Sequence, residues 1–327
     1  MAVSALLQGR FLLSRSARSL AALRRGVALV CAFCVVPIAA GCNQNLDLSA
    51  VQTMAAQTAA SKDTFDAVSA DFYDSCLRGM KYLNSFDVST CAKQQEASKL
   101  WQGANSILLS YVASLGALAT DKQTDYGLTN LATAVAGIQG VKFTSAQQTA
   151  VVNAGKGLVS GVFASRRRDD LATVMKSAER PDPAHDCPDG CLIDLVKQLT
   201  AIAQEDYDAT ILTAEDGRIQ LFYTNNISLA EARLPAADAK GELGALGAVG
   251  RLIAIGYYAD EATARQSVAT KRAAVKQYVA ALNKIVTAHH DIVNAIQNNH
   301  PDQLVGIAKE FVATYSAQLG AINKAFK

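Results

Sequence analysis

Proline is nearly missing from this chain. Six occur in 327 residues, and none falls between Ile38 and Arg180. Proline removes a backbone donor and clashes with the preceding turn, so its absence leaves a long stretch free to be helical. Alternating apolar and polar residues with β-branched enrichment are lacking too, and no sheet is expected. Aromatics make up 6% of the chain, so the core must be built from many small aliphatic contacts. Histidine occurs four times, as His185, His289, His290 and His300. None has Glu three residues before it, which excludes the paired Glu-x-x-His of di-iron bundles, and no His-Glu-x-x-His occurs. Gly155-Lys156-Gly157 lacks the hydroxyl residue of a phosphate loop, and Ser160 does not sit in a Gly-x-Ser-x-Gly elbow. With no nucleophile–base pair and no ligand set, the chain is expected not to be an enzyme and to need no cofactor or metal.

What is present at the start is Arg24-Arg25, then 16 charge-free residues from Gly26 to Gly41, then Cys42. Two cations, a short apolar run and small residues are the layout of a secretory signal peptide. A membrane span needs about 20 residues, and Pro37 interrupts this run. Ala39-Ala40-Gly41-Cys42 resembles the lipobox of bacterial lipoproteins. The resemblance implies that residues 1–41 are removed by cleavage between Gly41 and Cys42. It also implies that Cys42 is acylated on sulfur, that residues 42–48 form a lipidated tether, and that residues 49–327 fold. Asn43, standing where Asp would retain the protein in the inner membrane, implies the outer membrane and a periplasm-facing domain. The chain also resembles a group of all-helical proteobacterial lipoproteins. That likeness rests on its helical layout, on the run from Lys142 to Gln148 and on Arg166-Arg167-Arg168, and adds to the lipoprotein reading alone.

The formal charge of +2 comes from the leader, whose arginines face no acid. Beyond residue 41 acids slightly outnumber bases and no basic stripe interleaves with aromatics, so nucleic acid is not an expected partner. The expected partners are a membrane, through the lipid, and another protein or a second copy of the chain.

Cys31 and Cys34 leave with the leader. Cys76, Cys91, Cys187 and Cys191 remain, an even number in an oxidising compartment, which favours two disulfides. Of three pairings, Cys76–Cys91 with Cys187–Cys191 is the most economical. The first closes a loop that contributes roughly 3 kcal/mol in the chain-entropy model. Zinc would want paired C-x-x-C units or a histidine at finger spacing, and neither occurs.

The spacing predicts an all-α fold, an elongated antiparallel bundle with long coiled-coil-like helices. A first helix is expected from Ser49 to Leu83, a second from Thr90 and a third over Asp125 to Ile138. A fourth opens at a Thr144–Gln147 capping box and runs to Ala178. Pro181, Pro183 and Pro188 mark the main loop. A fifth helix spans Cys191 to Tyr223, and a Ser228–Glu231 capping box starts a short segment. From Asp260 to Asn298, Val268, Val275, Leu282, His289 and Ile296 recur every seventh residue beside Val279, Val286 and Val293, a coiled-coil-type seam. Pro301 at the first helical position opens the last helix, with Leu304, Ile307, Phe311, Val312, Tyr315, Leu319 and Ile322 on one face. Glu205 and Asp208 share a helix face that reads as solvated, and Arg166–Arg168 reads as exposed charge.

Two leads toward function stand out. His289 falls in the seam, where a hydrogen-bonded core imidazole or a pH-sensitive joint would sit. The stretch 241–258 is apolar and has glycine at every third position up to Gly250. A closely packing helix face and a membrane-seeking segment both fit it; helical pore-forming toxins of the haemolysin-E type have a similar layout.

Overall fold

The computed structural model describes residues 46–83, 87–120, 128–139, 146–163, 171–232, 245–298 and 300–326. The fold is all-α. Among the described residues the one β-type contact is an isolated bridge between Asp182 and Cys187. The elements are α1 (Leu46–Ala59), α2 (Lys62–Tyr82), α3 (Ala92–Thr120, entered through a 3-10 turn at Val88–Cys91), α4 (Leu128–Gln139), α5 (Ala146–Phe163) and α6 (Leu171–Ala178). After the proline-rich loop come α7 (Cys191–Ala201), a π-helix (Ile202–Leu212), α8 (Thr213–Ala232), α9 (Ala245–Gln297) and α10 (Pro301–Phe326).

Register follows from side-chain pairs at successive heights. A Cβ added at Gly116 of α3 would sit 2.4 Å from Ala55 Cβ of α1. Asn105 reaches Ser69 (2.9 Å), and Trp101 stands edge-on to Phe72. The α1–α2 pair thus runs antiparallel to α3. α3 runs parallel to α9, because the Trp101 indole donates to the Tyr278 hydroxyl (2.9 Å) and, further along both helices, Tyr111 bonds His289 (2.9 Å). Gln52 donates to the carbonyl of Ala119, so the start of α1 lies beside the C-terminal end of α9. At the opposite end Tyr82 packs on Phe222 and Tyr223, and Tyr223 on Tyr257. α10 folds back along the second half of α9, with Lys284 paired to Glu310. It ends where Phe326 meets Tyr207.

Several expected boundaries are corrected. The helix expected over residues 49–83 is two helices. The Ser61 hydroxyl donates to the Thr58 carbonyl (2.6 Å) and accepts from Tyr315 (2.8 Å), and this local side-chain bond competes with the helical ladder. α1 also begins three residues before the expected start. Ser228–Glu231 does not start a segment. The buried stripe Leu212, Glu215, Ile219, Tyr223, Ile227 keeps helical spacing and carries α8 through to Ala232. The stretch 241–258 is not separate from the helix after it: α9 already begins at Ala245, and residues 241–244 lie outside the described residues. The expected fourth helix is described as α5 and α6, with 164–170, including Arg166–Arg168, outside the described residues. Thr144 is outside them too, and Gln147 donates to Asp206 (2.9 Å) on the π-helix.

Val88–Thr120 is long and apolar enough to cross a membrane, but 61% of its most apolar window is buried inside the bundle. Trp101, Ile107, Leu108, Tyr111 and Leu115 fill the centre there, which makes α3 the core helix.

Both local disulfides are formed, Cys76–Cys91 with Cα atoms 5.8 Å apart and Cys187–Cys191 at 5.0 Å. Gly190, which precedes α7, has φ +106°, and an added Cβ would lie 2.5 Å from the Glu179 carbonyl carbon. Gly190→Ala combines left-handed strain with a backbone clash. A loss of about 2–3 kcal/mol is expected, read as a lower denaturation midpoint with unchanged slope; an unaltered midpoint would count against this reading of the turn.

Candidate functional site

α9 is two helices in terms of its surroundings. From Val268 onward four heptad rows are buried. They are Val268, Val275, Leu282, His289; Lys271, Tyr278, Ile285, Ile292; Ala274, Ala281, Ala288, Ala295; and, at the side, Val279 and Val293. The expected partner row was the Val279 row. The best-buried partner row stands three residues after the first instead, and the alanines make a further row. Before Val268 the covered stripe narrows to Gly247, Gly250, Ala254, Tyr257, Glu261 and Ala264. At residues 257–265 α9 lies against α8: Tyr257 meets Tyr223, and Arg265, beside the stripe, pairs with Asp216 at 3.1 Å.

His289 is fully buried. Its Nδ1 lies 2.6 Å from Glu179 Oε1 and its Nε2 2.9 Å from the Tyr111 hydroxyl. The other oxygen of Glu179 is 2.9 Å from His290 Nδ1. One carboxylate just beyond α6 therefore holds two adjacent histidines of α9. Burial pushes the Glu179 carboxyl up, but the hydrogen bonds and charges of His289 and His290 outweigh it and hold the group below its ordinary value. Burial and the Glu179 charge push the Tyr111 phenol well up. The arrangement is a satisfied polar joint between α3, α6 and α9.

A second buried cluster was not foreseen. Asp71 accepts both Nη atoms of Arg78 at 2.7 Å, Lys271 Nζ at 2.9 Å and the Tyr207 hydroxyl at 2.5 Å. Glu215 accepts Arg78 Nε at 2.7 Å and the Ser75 hydroxyl at 2.5 Å. Burial alone would raise the Asp71 carboxyl; Arg78, Lys271 and Tyr207 together lower it below the usual range. The sequence signal was there: Lys271 stands between Val268 and Val275, and Asp71 and Arg78 lie on the Phe65–Val68–Phe72–Gly79 side of α2. With two carboxylates and two cations mutually bonded, the cluster is saturated and leaves nothing for a ligand.

The exposed feature is the far end of α9. Val249 (52%), Leu252 (68%), Ile253 (48%), Ile255 (56%) and Tyr258 (53%) are open. With Gly256 and Ala259 they make an outer arc interrupted by one charge, Arg251. Over the next two turns the outer arc is Asp260, Ala262, Thr263, Arg265, Gln266 and Ser267. The same helix thus shows water a polar surface in one segment and an apolar one in the next. This apolar end and the start of α1 lie at opposite ends of α9, which at 53 residues is about 80 Å long.

Gly41 and Cys42 lie outside the described residues. His185 bonds Asp182 (2.7 Å), and His289 bonds Tyr111 and Glu179, so neither histidine is brought to Glu205. Glu205 is exposed and Asp208, half-buried, lies 3.4 Å from Arg272, while Asp206 between them accepts from Gln147. Among the described residues no group of three or more His, Cys, Asp or Glu side chains is placed to hold a metal. The chain matches no family model, no curated protein and no solved structure.

Because Glu179 titrates lower in the folded chain, its contribution is complete above its ordinary value of 4.5 and is lost as pH falls through the lower folded value. Denaturation between about pH 3 and pH 6 should show a steeper acid loss for wild type than for Glu179→Gln; equal slopes would remove the joint as an acid-sensitive element. Lys271→Met strands the buried Asp71 charge against Arg78 alone, and a loss of about 3 kcal/mol is expected at neutral pH.

Proposed function

We propose that the chain is an outer-membrane lipoprotein, held through Cys42 and facing the periplasm, that acts by protein contact through the apolar end of α9. The observation that carries the contact is the arc Val249–Leu252–Ile253–Ile255–Tyr258, apolar where the neighbouring arc of the same helix is polar. Exposed contiguous apolar surface marks an interaction site.

Two considerations favour a protein over a bilayer as the occupant. Among the described residues the charges beside the arc are Glu231, Asp260 and Glu261 against Arg251, whereas helices that lie in a membrane interface are rich in Lys and Arg on the polar face. Further, only residues 43–45 separate Cys42 from α1, and extended they span about 10 Å. A lipid there is near the C-terminal end of α9, with the apolar arc far along the bundle. An upright molecule carries that arc away from its own membrane into the periplasmic space. Membrane activity through residues 241–258 is the rival reading.

The lipid is tested first: incorporation of labelled palmitate into full-length protein should disappear in Cys42→Ala. For the contact, a photo-crosslinking residue is placed at Leu252 or, as a control on the polar arc, at Thr263. The expected result is one envelope protein crosslinked at 252 and not at 263, lost on Ile255→Asp and reduced in Cys42→Ala. Crosslinks to lipid alone, with dye release from liposomes by the full-length protein, would overturn the protein-contact reading in favour of membrane activity. Crosslinks between copies would replace the foreign partner with self-association.

A further inference from the structure

A cavity of about 180 Å³ opens between α2, α3, α5 and the π-helix. It is independent of the apolar end of α9 and of the two saturated polar clusters. The π-helix builds one wall. The hydroxyls of Thr210 and of Thr213, the first residue of α8, donate to the carbonyls of Glu205 and Asp208, each five residues back, in step with the wider i→i+5 ladder of such a helix. The wider turn sorts its side chains at spacings of four and five. Ala203, Tyr207 and Leu212 point into the core, while Ile202, Asp206 and Ile211 line the cavity. π-Helical turns are rare and recur at functional sites.

The lining has two parts. Phe72, Leu100, Ile202 and Ile211 give an apolar floor, and a cavity of about 150 Å³ with such walls holds a benzene ring. Three polar groups stand beside it. Gln94 Oε1 is buried and has no hydrogen-bond partner, an unmet acceptor of the kind native cores rarely leave. Asp206 is fixed by Gln147 through one oxygen and keeps lone pairs for another donor. Lys93 stands exposed at the rim. Two acceptors suit an ammonium, one cation suits a carboxylate, and the floor takes a single ring or a branched aliphatic chain.

We propose that this cavity binds an α-amino acid with an apolar side chain, its ammonium on Gln94 Oε1 and Asp206, its carboxylate on Lys93, and its side chain on the Phe72–Leu100–Ile202–Ile211 floor. A ligand with one charge leaves one of these groups unmet, and a polar side chain loses the floor.

The test is calorimetric titration of the full-length protein in detergent with L-phenylalanine, L-leucine, phenethylamine, 3-phenylpropanoate and L-serine. Saturable binding of phenylalanine or leucine is expected, at least tenfold tighter than either singly charged analogue, with no binding of serine. Ala97→Phe, which fills the cavity, should abolish binding, as should Gln94→Leu, which removes the orphan acceptor. Asp206→Asn should weaken it at least tenfold. Thermal unfolding of each variant identifies any that fails to fold, and the remaining variants then decide. Absence of binding by both apolar amino acids to folded wild type overturns the proposal. So does binding that survives Ala97→Phe, since the ligand then sits elsewhere. Equal affinity for phenethylamine overturns the zwitterion assignment.

Discussion

Burial of α9 on four heptad rows from Val268 onward is the constraint the rest of the chain satisfies. A helix covered on that much of its circumference needs neighbours on several sides; α1, α6, α7, α10 and the π-helix supply them, and α3 reaches it through Trp101 and Tyr111. Small residues make this feasible. The row Ala274, Ala281, Ala288, Ala295 lets other helices approach α9 closely, and Gly116 does the same between α3 and α1. A chain with 6% aromatics gains its dispersion energy through many short contacts at near-crystalline density rather than through a few large rings. Some of its aromatics also carry hydrogen bonds in the core, as Trp101 does to Tyr278.

An apolar seam alone tolerates slippage, because one heptad of valines resembles the next. Three polar residues on α9 remove that freedom. Lys271 meets Asp71 of α2, Tyr278 meets Trp101 and Asn105 of α3, and His289 meets Tyr111 of α3 and Glu179. A slip of one heptad would strand all three inside the core, and each stranded group costs about 1–3 kcal/mol or more if charged. A buried polar residue at a seam position is the best-attested device for fixing register. Lys271, paired with Asp71, also stands near the border where the four-row core gives way to the narrower covered stripe.

The helical class was legible in the lack of proline and of alternation, and the α9 seam in its sevenfold spacing. His289 was legible as a seam residue because a lone imidazole among valines breaks the pattern; Glu179 was not, since it lies 110 positions away in sequence and its approach depends on the loop after α6. The break at Ser61 escaped because its cause is a local hydroxyl bond reinforced by Tyr315, on a helix at the other end of the chain. The π-helix escaped because Ile202, Ala203, Tyr207, Ile211 and Leu212 sit close enough to α-helical spacing to read as an ordinary helix. The cavity it lines was therefore invisible. Residues 241–258 were legible as apolar, but the cover of the described arc 249–258 depends on where α10 stops, which is a matter of tertiary structure.

That stopping point explains the apolar end of α9. α10 has 26 residues against 53 in α9, and its last ring, Phe326, lies beside Tyr207, which shares Asp71 with Lys271. Past that level the side of α9 away from α8 faces outward. Residues 260–267 meet this with Asp260, Thr263, Arg265, Gln266 and Ser267, as a water-facing arc should. Residues 249–259 do not, although substitution there by polar residues would leave the buried stripe Gly250–Ala254–Tyr257 untouched. That this arc stays apolar, although polar residues there would leave the buried stripe in place, is what the proposed contact rests on.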